Sequence, residues 1–124
     1  MEFTRETATG NLIRAIEDDR VLIGENWMTG NLIVTADRIL RDWAPTDAEK
    51  LELDDLAPAL AFDPEIVIVG SAVGEPDIAL MEALARRAVG LELMRRRSAC
   101  RTFNVLLHEG RRVALALIES LSST

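Results

Sequence analysis

Cysteine and histidine are nearly absent from this chain of 124 residues, which contains one of each, Cys100 and His108. A single cysteine cannot form an internal disulfide, so the fold does not depend on an oxidising compartment. One histidine cannot build a histidine-rich zinc or iron site, and no Cys/His pair has the spacing of metal ligands. We therefore expect neither a metal site nor a bound cofactor.

Long apolar runs are also missing. The longest is far shorter than the roughly 20 residues that span a bilayer, so we do not expect an integral membrane protein. Residues 1–10 contain Glu2, Glu6 and one basic residue, Arg5, a composition unlike that of a secretion signal or a transit peptide. These features predict a cytoplasmic protein. The use of 13 arginines against one lysine, with no tyrosine or glutamine, indicates a GC-rich bacterial genome.

An excess of basic residues is absent from the chain as a whole, because 14 basic residues face 21 acidic ones and the formal charge is -7. General binding to nucleic acid requires basic side chains that neutralise phosphates, so we expect no nucleic-acid partner. Apolar residues make up 48% of the chain, which is enough for a core and too many for a disordered protein. The length predicts one domain over residues 1–124, with its core at about residues 12–118.

The charge is distributed unevenly along the chain. Residues 1–65 contain 15 acidic and 6 basic side chains, whereas residues 66–124 contain 6 acidic and 8 basic ones. All 8 of those basic residues lie between Arg86 and Arg112, in company with only 2 acidic residues. An acidic protein thus has one basic segment, which is where a site for an acidic partner is expected.

The first half of the chain has the pattern of short strands joined by turns. Strands are predicted at Leu12–Ile16, Val21–Ile23 and Leu32–Val34, where β-branched and other apolar residues are concentrated. Two glycines bracket residues 25–29, which are therefore predicted to form a connection.

The second half alternates between strands and helices. Ile66–Val69 is a run of β-branched residues bounded by proline and glycine, which is typical of a parallel strand buried on both faces. Val113–Ile118 is compatible with helix or strand, and its position after a short turn favours strand. The other expected elements are a short helix from Asp54 to Leu60, a helix from Pro76 to a cap at Gly90, a strand at Leu91–Met94, and a helix from an N-cap at Ser98 to Gly110. This order predicts an α/β unit with right-handed crossovers.

Four parts of the sequence together carry a resemblance: IGENWMTGNLIV, the Trp43 that follows it, DLAPALAFDPEIVIVG and SACRTFNVLLHEGRRVALALI. From about Leu12 to Ile118, the chain resembles the small domain family that includes mitochondrial respiratory complex I assembly factor 3 and its bacterial and archaeal relatives. The most specific part of the resemblance is a signature of seven residues, Cys100, Arg101, Thr102, Phe103, Asn104, Arg111 and Arg112.

The resemblance implies both a fold and a function. The fold class is α/β with three layers: a central mixed β-sheet, flanking helices, and an N-terminal β-hairpin stacked against the sheet. No enzymatic activity is assigned to the family as a whole, and its mitochondrial members help to assemble NADH:ubiquinone oxidoreductase by binding other proteins. Relatives often have Gly-Thr-Gly after the parallel strand, where this chain has Gly70-Ser71-Ala72, so the resemblance supports a ligand role for that loop less directly.

Two features at the predicted strand ends suggest an anion site. Residues 70–74 follow a buried strand and precede a helix, where open α/β sheets bind their ligands, although the glycine spacing fits no nucleotide-binding motif. The run Arg95–Arg97 follows the next strand, and guanidinium groups suit a carboxylate or a phosphate. The candidate residues are Ser71, Gly74, Arg95, Arg97 and Arg101. The alternatives are a tight turn that requires glycine dihedral angles, and arginines paired with the protein's own acids, such as Asp54 and Asp55.

Cys100 has two interpretations. Near a helix N-terminus and two arginines, its thiol is a candidate nucleophile. It also shares an apolar helical stripe with Phe103, where a cysteine is usually a small buried hydrophobe, and this interpretation is favoured. His108 lies about 12 Å further along the same helix, too far to act as its base. Asn104 is a poor helix former in a helix interior, which indicates a specific hydrogen bond.

The two tryptophans, Trp27 and Trp43, are candidates for protein-binding contacts, but packing of the hairpins on the sheet is favoured for both. The acidic residues between Asp47 and Asp55 lack the spacing of a calcium loop, so a solvated surface is expected there.

These observations favour a non-catalytic protein-interaction domain whose partners are other proteins, without catalytic residues. The alternative is a protein or enzyme that binds a small anionic ligand at the loops near Ser71 and Arg95–Arg97. Self-association into a homo-oligomer through an exposed strand edge is compatible with either hypothesis.

Overall fold

The computed structural model describes residues 10–47, 50–73 and 77–119. Short strands dominate the first half of the chain, and strands alternate with helices in the second half. The elements are β1 (Ile13–Ile16), β2 (Val21–Ile23), β3 (Asn26–Met28), β4 (Leu32–Val34), β5 (Ile39–Arg41), a 3₁₀ helix (Leu53–Leu56), α1 (Ala57–Leu60), β6 (Ile66–Ser71), α2 (Ile78–Ala85), β7 (Gly90–Arg95), α3 (Arg96–His108) and β8 (Val113–Leu117).

The strands form two sheets. Strands β1, β2 and β3 make an antiparallel sheet, and the other five make a mixed sheet in the order β5-β4-β8-β6-β7. Strand β6 lies at the parallel centre of the mixed sheet, between β7 and β8, while β4 is antiparallel to both β5 and β8. The α/β fold with a central mixed sheet and an additional antiparallel layer, which the family resemblance implied, is confirmed.

The mixed sheet has a core on each face. On one face Ile68 and Leu115 pack with Phe103 of α3 and with Ile13 and Val21 of the antiparallel sheet. The other face carries the strand residues that alternate with these along β6 and β8. They pack with the 3₁₀ helix, α1, α2 and the ring of Trp43. These strand residues include Val67, Val69, Ala114 and Ala116. The period of two along β6 and β8 therefore divides the apolar side chains between two layers.

Residues 25–29, which were predicted to form a connection, contain the strand β3. Ile23 pairs with Asn26, so β2 and β3 are joined by a two-residue turn whose first residue, Gly24, has a φ of 62°. Glycine adopts this left-handed conformation without strain, and such turns match the twist of a hairpin. The prediction was wrong because β3 is short and begins with asparagine, a poor strand former.

Two predicted helix starts also differ from the structure, and a third lies outside the described residues. Helix α3 begins at Arg96 directly after β7, so Ser98 lies inside the helix and does not cap it. Asp77 caps α2 by accepting a hydrogen bond from the Leu80 N–H at 3.1 Å; the predicted start at Pro76 lies outside the described residues. Glu52, and not Asp54, caps the 3₁₀ helix, in a capping box with Asp55.

The two tryptophans have different environments. Trp43 is buried, and its Nε1–H donates to the Asp55 carbonyl at 2.9 Å, so it is a packing anchor as predicted. Trp27 on β3 is 39% exposed, and the Arg20 guanidinium lies 3.9 Å from the centroid of its ring. The packing prediction is therefore wrong for Trp27, whose ring is covered by a cation on the surface.

Candidate functional site

The carboxyl ends of β6 and β7 bring the predicted anion-binding residues together. These two strands are parallel, and Ser71 and Arg95 are paired in register at their last positions. Since α3 begins immediately after Arg95, the run of three arginines starts at the same edge of the sheet. This is the edge at which open α/β sheets bind ligands.

A cleft of about 230 Å³ lies at this edge. We call it the arginine cleft, and it is lined by Ile16, Glu17, Asp18, Ser71, Ala72, Arg95, Arg96 and Arg97. The structure thus unites Ser71, Arg95 and Arg97 as the sequence suggested. The turn between β1 and β2, which contributes Glu17 and Asp18, was not foreseen, because nothing in its sequence indicates where the antiparallel sheet sits on the mixed one.

One further predicted site residue lies outside the cleft. Arg101 is exposed one helical turn beyond Arg97 on α3, and it does not line the cleft. Gly74 lies outside the described residues.

Backbone carbonyls, and not acidic side chains, anchor the three guanidinium groups. Arg95 donates to the Ala72 carbonyl at 3.2 Å, Arg96 to the Ile118 carbonyl at 3.1 Å and Arg97 to the Ile16 carbonyl at 3.4 Å. Each bond uses one of five N–H groups of a guanidinium. Within residues 10–47, 50–73 and 77–119, no carboxylate forms an ion pair with any of the three. The expected alternative, pairing with Asp54 and Asp55, is therefore wrong.

Asp55 has other partners. Its carboxylate accepts hydrogen bonds from the backbone N–H groups of Glu52 at 2.8 Å and Thr46 at 3.0 Å, and these bonds lower its pKa. Of the two acids in the arginine cleft, Glu17 is engaged by Arg20, whose Nε lies 2.8 Å from its Oε1. Positive charge therefore predominates at one edge of the sheet in a protein whose formal charge is -7.

Gly70 lets α3 approach the sheet next to this cleft. The sequence suggested that a glycine here serves a tight turn, but Gly70 is buried inside β6 and has no left-handed φ. A Cβ atom at this position would lie 2.7 Å from the Ala99 Cβ and 2.9 Å from the Leu117 Cδ2. Close packing of helix on strand, and not backbone conformation, requires the glycine.

Cys100 is buried in the core beneath the cleft, with 3% of its surface exposed. Burial raises the pKa of its thiol to about 11, against a smaller opposing effect of the charges on Arg96 and Arg97. A thiol with this pKa stays protonated at neutral pH, so the environment of Cys100 favours the core interpretation over the nucleophile.

Alkylation tests this environment. We expect iodoacetamide at pH 8 to modify native Cys100 at least about 100-fold more slowly than an exposed cysteine, since two units of pKa reduce the thiolate fraction by that factor. The variant Ser98→Cys supplies the control, because Ser98 is exposed on the same helix. Mass spectrometry should show one rapid addition in the variant and a second only in denaturant. Rapid loss of both thiols under native conditions would contradict this assignment.

Asn104 attaches α3 to the antiparallel sheet. Its amide group donates to the Ile13 carbonyl at 2.8 Å, and its Oδ1 accepts from the Ile13 N–H at 2.9 Å. The specific hydrogen bond that the sequence indicated is therefore a pair of bonds across 91 residues of chain. Phe103, its neighbour in the signature, is fully buried against the mixed sheet. Both signature residues have structural roles.

Arg111 and Arg112 hold the opposite end of the sheet. Glu65 accepts a hydrogen bond from the Arg112 N–H at 2.9 Å and lies 3.3 Å from the Arg111 Nε. These contacts, the backbone bond first, lower the pKa of the Glu65 carboxyl. The Arg112 Nε donates to the Asp63 carbonyl at 2.9 Å, which ties the turn before β8 to the start of β6.

The described residues contain no group of three or more His, Cys, Asp or Glu side chains arranged to bind a metal ion. Among the same residues, no helix combines the length and hydropathy that a membrane crossing needs.

The chain is similar in sequence to a protein family and to individual proteins, and similar in fold to solved structures. A family model described as "Protein of unknown function (DUF498/DUF598)" matches residues 13–118. The chain is 30% identical over 132 aligned positions to the NADH dehydrogenase (ubiquinone) 1 alpha subcomplex assembly factor 3 of Drosophila melanogaster, covering 96% of the chain and 64% of that protein. It is also 27% identical over 74 residues to a 13 kDa major membrane protein of Francisella tularensis, covering 58% of the chain and 60% of that protein.

The chain therefore spans less than two thirds of the length of either relative. A solved structure is similar over a larger share. The NMR structure of a Xanthomonas campestris protein superposes with a TM-score of 0.74 at 30% identity, covering 86% of this chain and 83% of that one.

Proposed function

The chain belongs to the DUF498/DUF598 family of proteins of unknown function, and we propose that it is a non-catalytic protein-interaction domain. Its Drosophila relative is named as an assembly factor of NADH dehydrogenase. By analogy, this chain binds other proteins while they are assembled into a larger complex, and its partners present acidic surface to it.

The arginine cleft carries this proposal. Three guanidinium groups at one edge of the sheet are fixed by carbonyl oxygens and form no ion pair with an acidic side chain of the described residues. Guanidinium groups in such positions have N–H groups left to bind carboxylates in a bidentate manner. Fixing each side chain in advance reduces the entropy that binding costs. The cleft is therefore suited to Asp and Glu side chains of a partner.

The surroundings of the cleft support binding more than catalysis. Besides arginines, the polar side chains among its described lining residues are Ser71, Glu17 and Asp18, and Glu17 is paired with Arg20. A nucleophile needs a neighbouring base, and the imidazole of His108 lies at the far end of α3 from the cleft. The thiol of Cys100 is buried and has a raised pKa.

Affinity capture from the native organism tests the proposal. Immobilised protein should retain specific partners, identified by mass spectrometry, and the double variant Arg95→Glu/Arg97→Glu should lose them. The matched control is Arg86→Glu/Arg87→Glu, which changes the charge equally at two exposed arginines after α2. We expect the control to retain the partners. Recovery of only background proteins by the unchanged chain would count against the proposal, as would equal loss in both variants.

A small anionic ligand is the second candidate for the same cleft. Ser71 and Arg95 are paired in register and both line the cleft, and hydroxyl and guanidinium groups commonly bind phosphate, which favours this candidate. Thermal unfolding in millimolar phosphate or citrate distinguishes the candidates. A rise in the melting temperature that disappears in Arg95→Glu/Arg97→Glu would support a small anionic ligand. If neither anion raises the melting temperature, the cleft does not bind phosphate or citrate.

A further inference from the structure

A second and larger cleft lies at the opposite end of the mixed sheet. It encloses about 570 Å³, which is within the size range of small-molecule sites. Three connections that are distant in sequence form it: the turn between β4 and β5, the segment after α1, and the turn between α3 and β8. We call it the basal cleft, and its principal residues are Arg38, Phe62, Leu107, Arg111, Arg112 and Val113.

The floor of the basal cleft is apolar. Leu107 and Val113 are 5% and 3% exposed and belong to the core on the face of the sheet that α3 covers. Phe62 is half-buried and packs against the core on the other face. An apolar body that enters the cleft would thus contact aliphatic and aromatic side chains from both layers of the molecule.

The rim of the basal cleft has three arginines and one acidic residue, Asp37, so basic side chains predominate there. Arg111 is paired with Glu65, and the Arg112 Nε donates to the Asp63 carbonyl, so these two side chains already have partners. Arg38 differs from them. Its backbone is fixed, because its N–H donates to the Thr35 hydroxyl at 3.1 Å, yet its guanidinium has no side-chain partner among the described residues.

The acid next to Arg38 also lines the basal cleft, but no ion pair joins it to Arg38 in the described part of the chain. Asp37 accepts a hydrogen bond from the Thr35 hydroxyl at 3.4 Å. The cleft therefore offers one available guanidinium beside two partnered ones, above an apolar floor.

We propose that the basal cleft binds an aliphatic monocarboxylate, with the hydrocarbon chain against Phe62, Leu107 and Val113 and the carboxylate at Arg38. A single planar guanidinium matches a carboxylate in bidentate geometry, and Arg111 and Arg112 add favourable charge. The site is independent of the arginine cleft, since the two lie at opposite ends of the sheet.

Octanoate is the probe that tests this site. In two-dimensional ¹H–¹⁵N NMR spectra, octanoate should shift the amide signals of residues around the basal cleft with saturation at a dissociation constant on the order of 1 mM, given its size. Acetate supplies the charge without the chain, and octan-1-ol supplies the chain without the charge. Each should bind at least about tenfold more weakly than octanoate.

Two variants assign the contacts. Arg38→Glu should weaken octanoate binding by about tenfold without lowering the melting temperature, because its guanidinium forms no hydrogen bond or ion pair with another side chain in the described ranges. Ala61→Trp, at an exposed wall position, should weaken binding by filling the cleft. Arg95→Glu, in the arginine cleft, should leave octanoate binding unchanged. The proposal is overturned if octanoate causes no saturable shifts, if octan-1-ol binds equally well, or if Arg38→Glu binds octanoate as the unchanged protein does.

Discussion

Replacing Gly70 with alanine should lower the free energy of unfolding by about 3 kcal/mol, which corresponds to a fall of roughly 10 °C in the melting temperature. The added methyl group would lie 2.7 Å from the Ala99 Cβ, closer than two carbon atoms can approach without displacement. The Arg96 Cα, 3.3 Å away, would also be pushed outwards. Since α3 would have to move off β6, the arginine cleft should be distorted as well.

Two controls separate this contact from a general effect of alanine in a strand. Gly90 begins β7, and a Cβ there would meet nothing closer than 3.7 Å, so Gly90→Ala should change the stability by less than about 0.5 kcal/mol. Ala99→Gly should partly rescue Gly70→Ala, with a favourable coupling of about 1 kcal/mol, because it removes the opposing methyl group. Urea denaturation of Gly70→Ala, Gly90→Ala, Ala99→Gly and the double variant Gly70→Ala/Ala99→Gly measures the loss of stability at each glycine and the coupling energy. Equal effects at Gly70 and Gly90 would refute the close-packing explanation.

Asn104→Ala should destabilise the protein by about 2 kcal/mol, because it leaves both backbone polar groups of Ile13 without their partner. The loss should be concentrated at the attachment of β1 to α3. We therefore expect amide hydrogen exchange to accelerate in β1 and β2 more than in β6 and β8, the centre of the mixed sheet.

Two substitutions on α3 make this test specific. Asn104→Asp can still accept from the Ile13 N–H but sets a carboxylate oxygen against the Ile13 carbonyl, so it should be about as destabilising as alanine. Val105→Ala alters the next residue, which is 54% exposed, and should cost less than about 0.5 kcal/mol. Uniform acceleration of exchange in both sheets would contradict a local role for Asn104.

The mixed sheet was largely predictable because its strands carry strong local signals. The β-branched run at the start of β6 and the apolar residues of β8 are buried on both faces, as parallel central strands require. The strand β3 and the start of α3 were not predictable in the same way. The conformation of β3 depends on its pairing with β2, and α3 begins without a side-chain cap.

The candidate site was predictable only in part. Ser71 and Arg95 end two strands expected to be parallel neighbours, so their proximity followed from topology. The role of Gly70 could not be predicted, because the close approach of α3 to β6 is a tertiary contact that a single sequence does not reveal. The basal cleft was missed for a similar reason: its walls come from three turns, and no local pattern links Arg38 with Phe62 and Arg112.

The affinity of a captured partner for the purified protein and its charge variants tests the role of the arginine cleft. Titration calorimetry should show that Arg95→Glu/Arg97→Glu weakens the binding of the partner by at least about tenfold, while Arg86→Glu/Arg87→Glu changes it little. The affinity of the unchanged protein for the partner should also fall as salt is added, because salt screens the attraction between the arginines and the acidic side chains of the partner. An unchanged dissociation constant in Arg95→Glu/Arg97→Glu would show that the partner binds elsewhere and would contradict the assignment of the arginine cleft.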